Sequence, residues 1–215
     1  MTDTETAREA VAALGVDEIA DAVEELGFAC TDCGACCRSD GDDEHIATIF
    51  PEEVRQLQDR VDGEWRDVAR PMPFGWDGDS GETFEWALQT DGCGDCAFYR
   101  PDAEGGSCGV YEDRPHICRT YPFQLAIPGL STPNATAVEQ VGPVLAYECE
   151  GLGRDIDRET AIEMARRLQR RALEELDQQA RLLEQYEPRT NESVPVVHDA
   201  EGAKRPDGKP LDSPS

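Results

Sequence analysis

FACTDCGACCRSD, residues 28–40, sets the reading of the whole chain. Cys30, Cys33 and Cys36 stand in a C-x2-C-x2-C run. A loop of that spacing can curl so that three thiolates point into one small volume, and Gly34 gives the backbone room to turn. Bacterial ferredoxins use a similar run for three corners of an iron–sulfur cubane. The residues between the cysteines include Thr31, Asp32 and Gly34, which do not make a core pattern. These cysteines therefore read as ligands rather than as small buried hydrophobes. Cys37 adjoins Cys36, and neighbouring side chains diverge. Cys37 is accordingly expected to serve a second metal or to lie behind the first.

Further thiols return from far along the chain. The stretch DGCGDCAFYRPDAEGGSCGVYEDRPHICRTYPFQLAIPG, residues 91–129, holds Cys93, Cys96, Cys108 and Cys118, and Cys149 follows in YECEG. Four thiolates complete a cubane or a closed zinc site. The candidate cluster ligands are Cys30, Cys33, Cys36 and Cys118. GCGDC reads as a turn, whereas a thioredoxin-type redox pair needs a strand-to-helix setting. Residues 114–129 contain no acid, and Arg114 and Arg119 flank Cys118. Both arginines are placed to offset thiolate charge or to donate hydrogen bonds to sulfur. Pro115 and Pro122 should fix that loop, with Tyr111, Tyr121 and Phe123 packed locally to keep water away. His116 is a weaker candidate ligand, and His45 and His198 are weaker still. No phosphate loop, dinucleotide fingerprint or serine elbow is present, and no catalytic residue can be named.

The formal charge is −26, from 46 acids and 20 bases. Nucleic acid and anionic membranes are poor partners for such a surface. Acid spread along the whole chain resembles proteins of salt-loving organisms, in which screening relieves self-repulsion. The N-terminus is acidic and amphipathic, lacks a basic start, and is not a secretory signal. The expected location is the cytoplasm, where thiols stay reduced and act as ligands or nucleophiles.

Several motifs together resemble a known family. FACTDCGACC (28–37), CAFY (96–99), SCGVYEDRPHICRTYPF (107–123) and CEG (149–151) are similar to the YkgJ-type cysteine-cluster proteins. These are the CxxCxxCC zinc- or iron-chelating domains, whose archaeal members are often labelled Fe–S oxidoreductases. The resemblance implies a metal site built from Cys30, Cys33, Cys36, Cys37, Cys96, Cys108, Cys118 and Cys149. Cys93 is extra to that pattern. The resemblance implies no substrate.

The expected fold is α+β: a small irregular metal-binding domain with short strands, an N-terminal helical segment and a long C-terminal helix. The layout reads as a helical segment over 1–27, a cysteine-cluster domain over 28–153, a helix over 154–187 and a disordered tail over 188–215. Gly15 should end a first helix and Asp17 cap a second. HIATIF and FEWALQT read as strands, PEEVRQLQDRV as a helix, and RPMPFGWDGDSGET as loop. TAVEQVGPVLAYECEG should hold a strand broken near Pro143. Ala161, Ala165, Leu168, Ala172, Leu176, Ala180 and Leu183 form one apolar helical stripe. Three functions compete on this reading. The first is an iron–sulfur protein, of 4Fe–4S type, passing electrons to a partner protein. The others are a non-catalytic zinc module and a chelating or metal-delivery protein.

Overall fold

The computed structural model describes residues 3–39, 44–72, 76–77, 80–102, 105–130, 136–189 and 195–211. It is α+β, with short strands, N-terminal helices and a long C-terminal helix. In chain order the helices are α1 (Asp3–Ala13), α2 (Val16–Leu26), α3 (Pro51–Val61), α4 (Trp65–Val68), α5 (His116–Thr120) and α6 (Arg158–Gln185). The strands are β1 (Thr48–Ile49), β2 (Ala69–Pro71), β3 (Trp76–Asp77), β4 (Ser80–Thr83), β5 (Trp86–Leu88), β6 (Tyr99–Asp102) and β7 (Gly105–Cys108). They continue as β8 (Phe123–Leu125), β9 (Glu139–Val141), β10 (Val144–Ala146), β11 (Val196–Asp199) and β12 (Gly202–Lys204).

Two compact units form, and neither is continuous in sequence. The first takes Met1–Ala35 and His116–Asp177, and the second Cys36–Pro115 and Gln178–Ser215. The expected single domain over 28–153 is therefore divided. One boundary runs between Cys33 and Cys36 of the cysteine run, the other between Pro115 and His116.

The first unit packs α1, α2 and the start of α6 on an antiparallel sheet of order β8-β10-β9. Ile19, Val23, Phe123, Val144, Ala165, Leu168 and Leu176 are all buried there. The α6 stripe faces this core as far as Leu176, but Leu183 is 64% exposed, so the apolar face ends sooner than its periodicity suggests. Asp157 caps α6 by accepting the Thr160 N–H at 2.9 Å. Gly15, not Asp17, occupies the N-cap of α2. Asp17 instead joins Asp21 and Glu24 in gripping Arg158, with N···O distances of 2.9, 2.6 and 2.6 Å.

The second unit holds an antiparallel sheet of order β1-β5-β2, the hairpin β6-β7, and a sheet of order β12-β11-β4-β3 in which β11 runs parallel to β4. Its core includes Val54, Leu57, Val68, Trp86, Leu88 and Val197, all nearly inaccessible. Trp65 and Trp86 meet edge to face at 5.0 Å between ring centroids. The stretch expected as loop supplies β2, β3 and β4, while residues 73–75 and 78–79 within it lie outside the described residues.

The expected disordered tail is overturned over 195–211. Val196 and Val197 are followed by His198 and Asp199 in a strand whose every residue is buried, and Leu211 is buried too. Polarity misled the sequence reading because the polar residues are paired internally. Trp86 Nε1 donates to Asp199 Oδ2 at 2.7 Å, and Lys204 Nζ lies 2.8 Å from the same oxygen. His198, expected to be an exposed tail residue, is buried and bonded to Glu82 at 2.8 Å. Residues 190–194 and 212–215 lie outside the described residues.

This packing has a consequence at low pH. The Arg55 guanidinium, helped by Lys204, holds the Glu201 carboxyl down to about 2, from an ordinary value of 4.5. A carboxylate depressed by folding stabilises the fold above its unfolded value, and that stability is lost as pH falls through the folded value. The second unit should therefore loosen between about pH 4.5 and 2. Glu201 is partly exposed, so screening limits the effect to about 1 kcal/mol or less. Tryptophan emission recorded against pH should show this leg in the natural chain and lose it in Glu201→Gln.

Candidate metal centre

None of the nine cysteines is in a disulfide. Cys96 is buried, Cys33, Cys37, Cys108, Cys118 and Cys149 are half-buried, and Cys30, Cys36 and Cys93 are exposed. The first unit carries Cys30, Cys33, Cys118 and Cys149, and the second carries Cys36, Cys37, Cys93, Cys96 and Cys108.

In the first unit two chain segments bring cysteines toward each other. Phe28 and Leu152 form an antiparallel bridge, and the Ala29 N–H donates to the Gly151 carbonyl at 3.1 Å. The approach is so close that a Cβ on Gly151 would lie 2.4 Å from the Ala29 oxygen. Only glycine fits there, and the contact sets Cys30 and Cys149 on neighbouring strands of chain. The Gly151 N–H points at Cys149 Sγ at 3.4 Å, a bond that favours a thiolate. Cys118 rides on α5. The Tyr121 hydroxyl bonds the Glu148 carbonyl, and the Tyr147 N–H donates to the Pro122 carbonyl at 3.0 Å, tying the end of α5 to the segment before Cys149. In the cysteine run Asp32 and Gly34 both take left-handed backbone, φ 52° and 69°. That is the curl expected at Gly34, extended to a residue for which it was not foreseen.

In the second unit the loops of Cys36–Ser39 and Asp91–Cys96 are joined by hydrogen bonds. The Cys96 N–H donates to the Cys37 carbonyl at 2.8 Å, and the Ser39 N–H to Asp95 Oδ1 at 2.8 Å. The Ser39 hydroxyl bonds the same carboxylate at 3.0 Å, and these bonds hold Asp95 below the usual carboxylate range. Cys108 enters from β7, opposite Tyr99, in the hairpin that follows Cys96. Burial pushes the Cys96 thiol up to about 11, and the nearness of Cys108 and Cys36 adds to the shift. Cys36 and Cys37 sulfurs stand 4.0 Å apart. The expected divergence of these adjacent side chains is limited, and both lie in the one-turn helix Ala35–Cys37.

Among the described residues, no three His, Cys, Asp or Glu side chains are gathered as the ligands of one ion. Closing on a metal requires the thiols to rotate between staggered rotamers, which an unbranched side chain does readily. The donor set is otherwise what thiophilic metals require, with several sulfurs and no competing disulfide.

The sequence profile described as "Putative zinc- or iron-chelating domain", CxxCxxCC, matches residues 29–150, more than half of the 215-residue chain. This protein belongs to the CxxCxxCC family. No curated protein and no solved structure matches the chain. Every cysteine of this CxxCxxCC protein lies within the matched span, so the family assignment supports binding of zinc or iron by the cysteine domain.

The arginines chosen from sequence fare differently. Arg114 is turned onto Tyr111, 3.8 Å from its ring centroid and bonded to its carbonyl at 3.1 Å. Tyr111 itself is 46% exposed. Phe123 is buried in the first unit's core, and Arg119 is half-buried on α5 beside Cys118 in sequence. Sequence reasoning missed Arg171. This buried arginine of α6 bonds the Thr120 hydroxyl at 3.0 Å and so braces the helix that carries Cys118. It also undervalued His45, which is buried and whose main-chain N–H donates to the Gly94 carbonyl, between Cys93 and Cys96, at 2.8 Å. No spacing rule links either residue to the cysteines.

Proposed function

We propose that Cys36, Cys37, Cys96 and Cys108 hold one four-coordinate ion, zinc or a single iron, which fixes the second unit as a non-catalytic metal module. One observation carries this reading. Cys36 and Cys37 sulfurs lie 4.0 Å apart, and the Cys96 N–H donates to the Cys37 carbonyl at 2.8 Å. Zn–S bonds near 2.3 Å in a tetrahedron put sulfurs roughly 3.8 Å from one another, so the pair already has the spacing of two ligands on one ion. Thiolates on different irons of a cubane sit farther apart. Bound metal would neutralise thiolates gathered in a chain of charge −26 and add stability to it.

A second reading is an iron–sulfur centre that passes electrons to a partner protein. The C-x2-C-x2-C spacing of Cys30, Cys33 and Cys36 favours it. The backbone bond to Cys149 sulfur also supports it, being of the kind that tunes cluster potentials. Both readings suit a reducing cytoplasm. No helix among the described residues is long and apolar enough to cross a membrane. The strongly acidic surface argues against nucleic acid or an anionic bilayer as partner.

Anaerobic purification of the full chain separates the readings. Elemental analysis should find about one zinc or iron bound by the second unit's thiols, without acid-labile sulfide. A brown protein with sulfide and several irons supports the electron carrier instead. Protein that takes up neither metal, even after reconstitution with iron and sulfide, overturns both.

A further inference from the structure

Cys36 and Cys37 are neighbours in sequence whose sulfurs stand 4.0 Å apart. Cys36 is exposed, Cys37 is half-buried, and neither is in a disulfide. Both sit in the 3-10 turn Ala35–Cys37, and the chain that follows is tied down. The Cys37 carbonyl accepts the Cys96 N–H at 2.8 Å. The Ser39 N–H and hydroxyl both bond Asp95 Oδ1, at 2.8 and 3.0 Å. The main chain behind the pair is thus fixed, and a ligand has little ordering left to impose.

Adjacent thiols do not close readily on each other. Their Cα atoms are about 3.8 Å apart across a trans peptide, whereas disulfides need about 4.4–6.8 Å. A bridging atom removes the misfit. The 4.0 Å span is shorter than two sulfur bonds of about 2.3 Å laid end to end, so one atom can reach both sulfurs. Zinc is such an atom, but it asks for four donors. A trivalent arsenic that carries one carbon substituent asks for only two, and this turn supplies two. The second arsenic–sulfur bond is then intramolecular, an advantage of about 10²–10⁴-fold over a single thiol. The charge of −26 repels anionic monothiols such as glutathione and leaves a neutral arsenical unopposed.

We infer that Cys36 and Cys37 form a two-thiol clamp for monosubstituted trivalent arsenicals. In the reaction the arsenic–oxygen group of the ligand is exchanged for two arsenic–sulfur bonds, and the oxygen leaves as water with both thiol protons. Arsenic stays trivalent, so neither oxidant nor reductant takes part. The clamp shares two thiols with the zinc reading but does not depend on it. Cys30 is not equivalent, because its thiol donates instead to Asp32 Oδ1 at 3.6 Å.

The probe is phenylarsine oxide, added in equimolar amount to the full-length chain with excess glutathione and read by intact-protein mass spectrometry. Stripping the arsenical from the natural chain should take about a hundredfold more glutathione than stripping it from Cys36→Ser or Cys37→Ser. Cys30→Ser and Cys93→Ser should hold it as the natural chain does. The inference is overturned if the natural chain takes up no arsenical, if Cys36→Ser or Cys37→Ser holds it as tightly, or if Cys30→Ser loses it. Should a serine variant fail to fold, tandem mass spectrometry of the natural chain's adduct decides, and arsenic on any other pair of sulfurs is the overturning result. Prior addition of zinc(II) separates this inference from the metal-binding reading. Bound zinc that blocks uptake supports both. Uptake undiminished by bound zinc supports the clamp and removes Cys36 and Cys37 from the zinc ligands. A zinc-free chain that refuses phenylarsine oxide yet binds zinc sinks the clamp alone.

Discussion

A chain cut after Pro188 is expected to lose the fold of its second unit. The cut removes β11 and β12, whose Val196 and Val197 are fully buried, together with Leu211 at 8% exposure. Each such side chain contributes about 1.5–3 kcal/mol by leaving water. Their sum approaches the total stability of an ordinary domain, about 5–15 kcal/mol. The cut also strips Trp86 Nε1 of its acceptor Asp199 and removes the His198 partner of Glu82. Trp65, Trp76 and Trp86 all belong to the second unit, so tryptophan emission reports on it alone. Emission should shift to the wavelength of solvated indole, while far-ultraviolet circular dichroism retains the signal of α1, α2 and the start of α6. Blue-shifted emission that survives the cut would show that the two strands are dispensable.

Replacing Cys96 with serine should have the largest effect on metal binding of any single cysteine change. A structural zinc site is worth roughly 10–16 kcal/mol over four ligands. Loss of one thiolate therefore removes on the order of 3 kcal/mol, at least about a hundredfold in affinity. Cys96 is buried, and its main-chain N–H anchors the Cys37 carbonyl. Cys93, three residues earlier, has an exposed side chain and gives the same turn only its backbone, its N–H donating to Asp91 Oδ1 at 2.8 Å. Cys93→Ser should bind zinc like the natural chain. Chelator competition on both variants checks the pair. Equal losses at the two positions would mean that the sulfurs do not divide as proposed.

The parts of this protein that obey a periodicity could be read from its sequence. The helix PEEVRQLQDRV begins with Pro51 at its first turn and ends at Val61, as its pattern demands. The break foreseen near Pro143 is the turn of a β-hairpin between β9 and β10. Where pairing is non-local, the sequence was silent. Val196 and Val197 sit among histidine, aspartate and lysine, and such a segment resembles a solvated tail unless its partners Glu82 and Trp86, more than a hundred residues earlier, are known. The cysteines announced a metal site by number and spacing, but not their grouping. That the Cys36 and Cys37 sulfurs would lie 4.0 Å apart depends on side-chain directions within a three-residue 3-10 turn that no propensity rule marks. Arg171 and His45 were overlooked for a related reason. Each reaches a cysteine loop through a hydrogen bond to a nearby residue, Arg171 to Thr120 and the His45 main chain to Gly94, so neither carries a signature of its own.

Each unit is stitched from two separated stretches, Met1–Ala35 with His116–Asp177 and Cys36–Pro115 with Gln178–Ser215. During synthesis, then, α1 and α2 leave the ribosome long before the sheet they cover exists, and β4 waits for β11. At about 5–20 residues per second that delay runs to several seconds. Folding of the second unit is thereby postponed until β11 has emerged to lie parallel to β4.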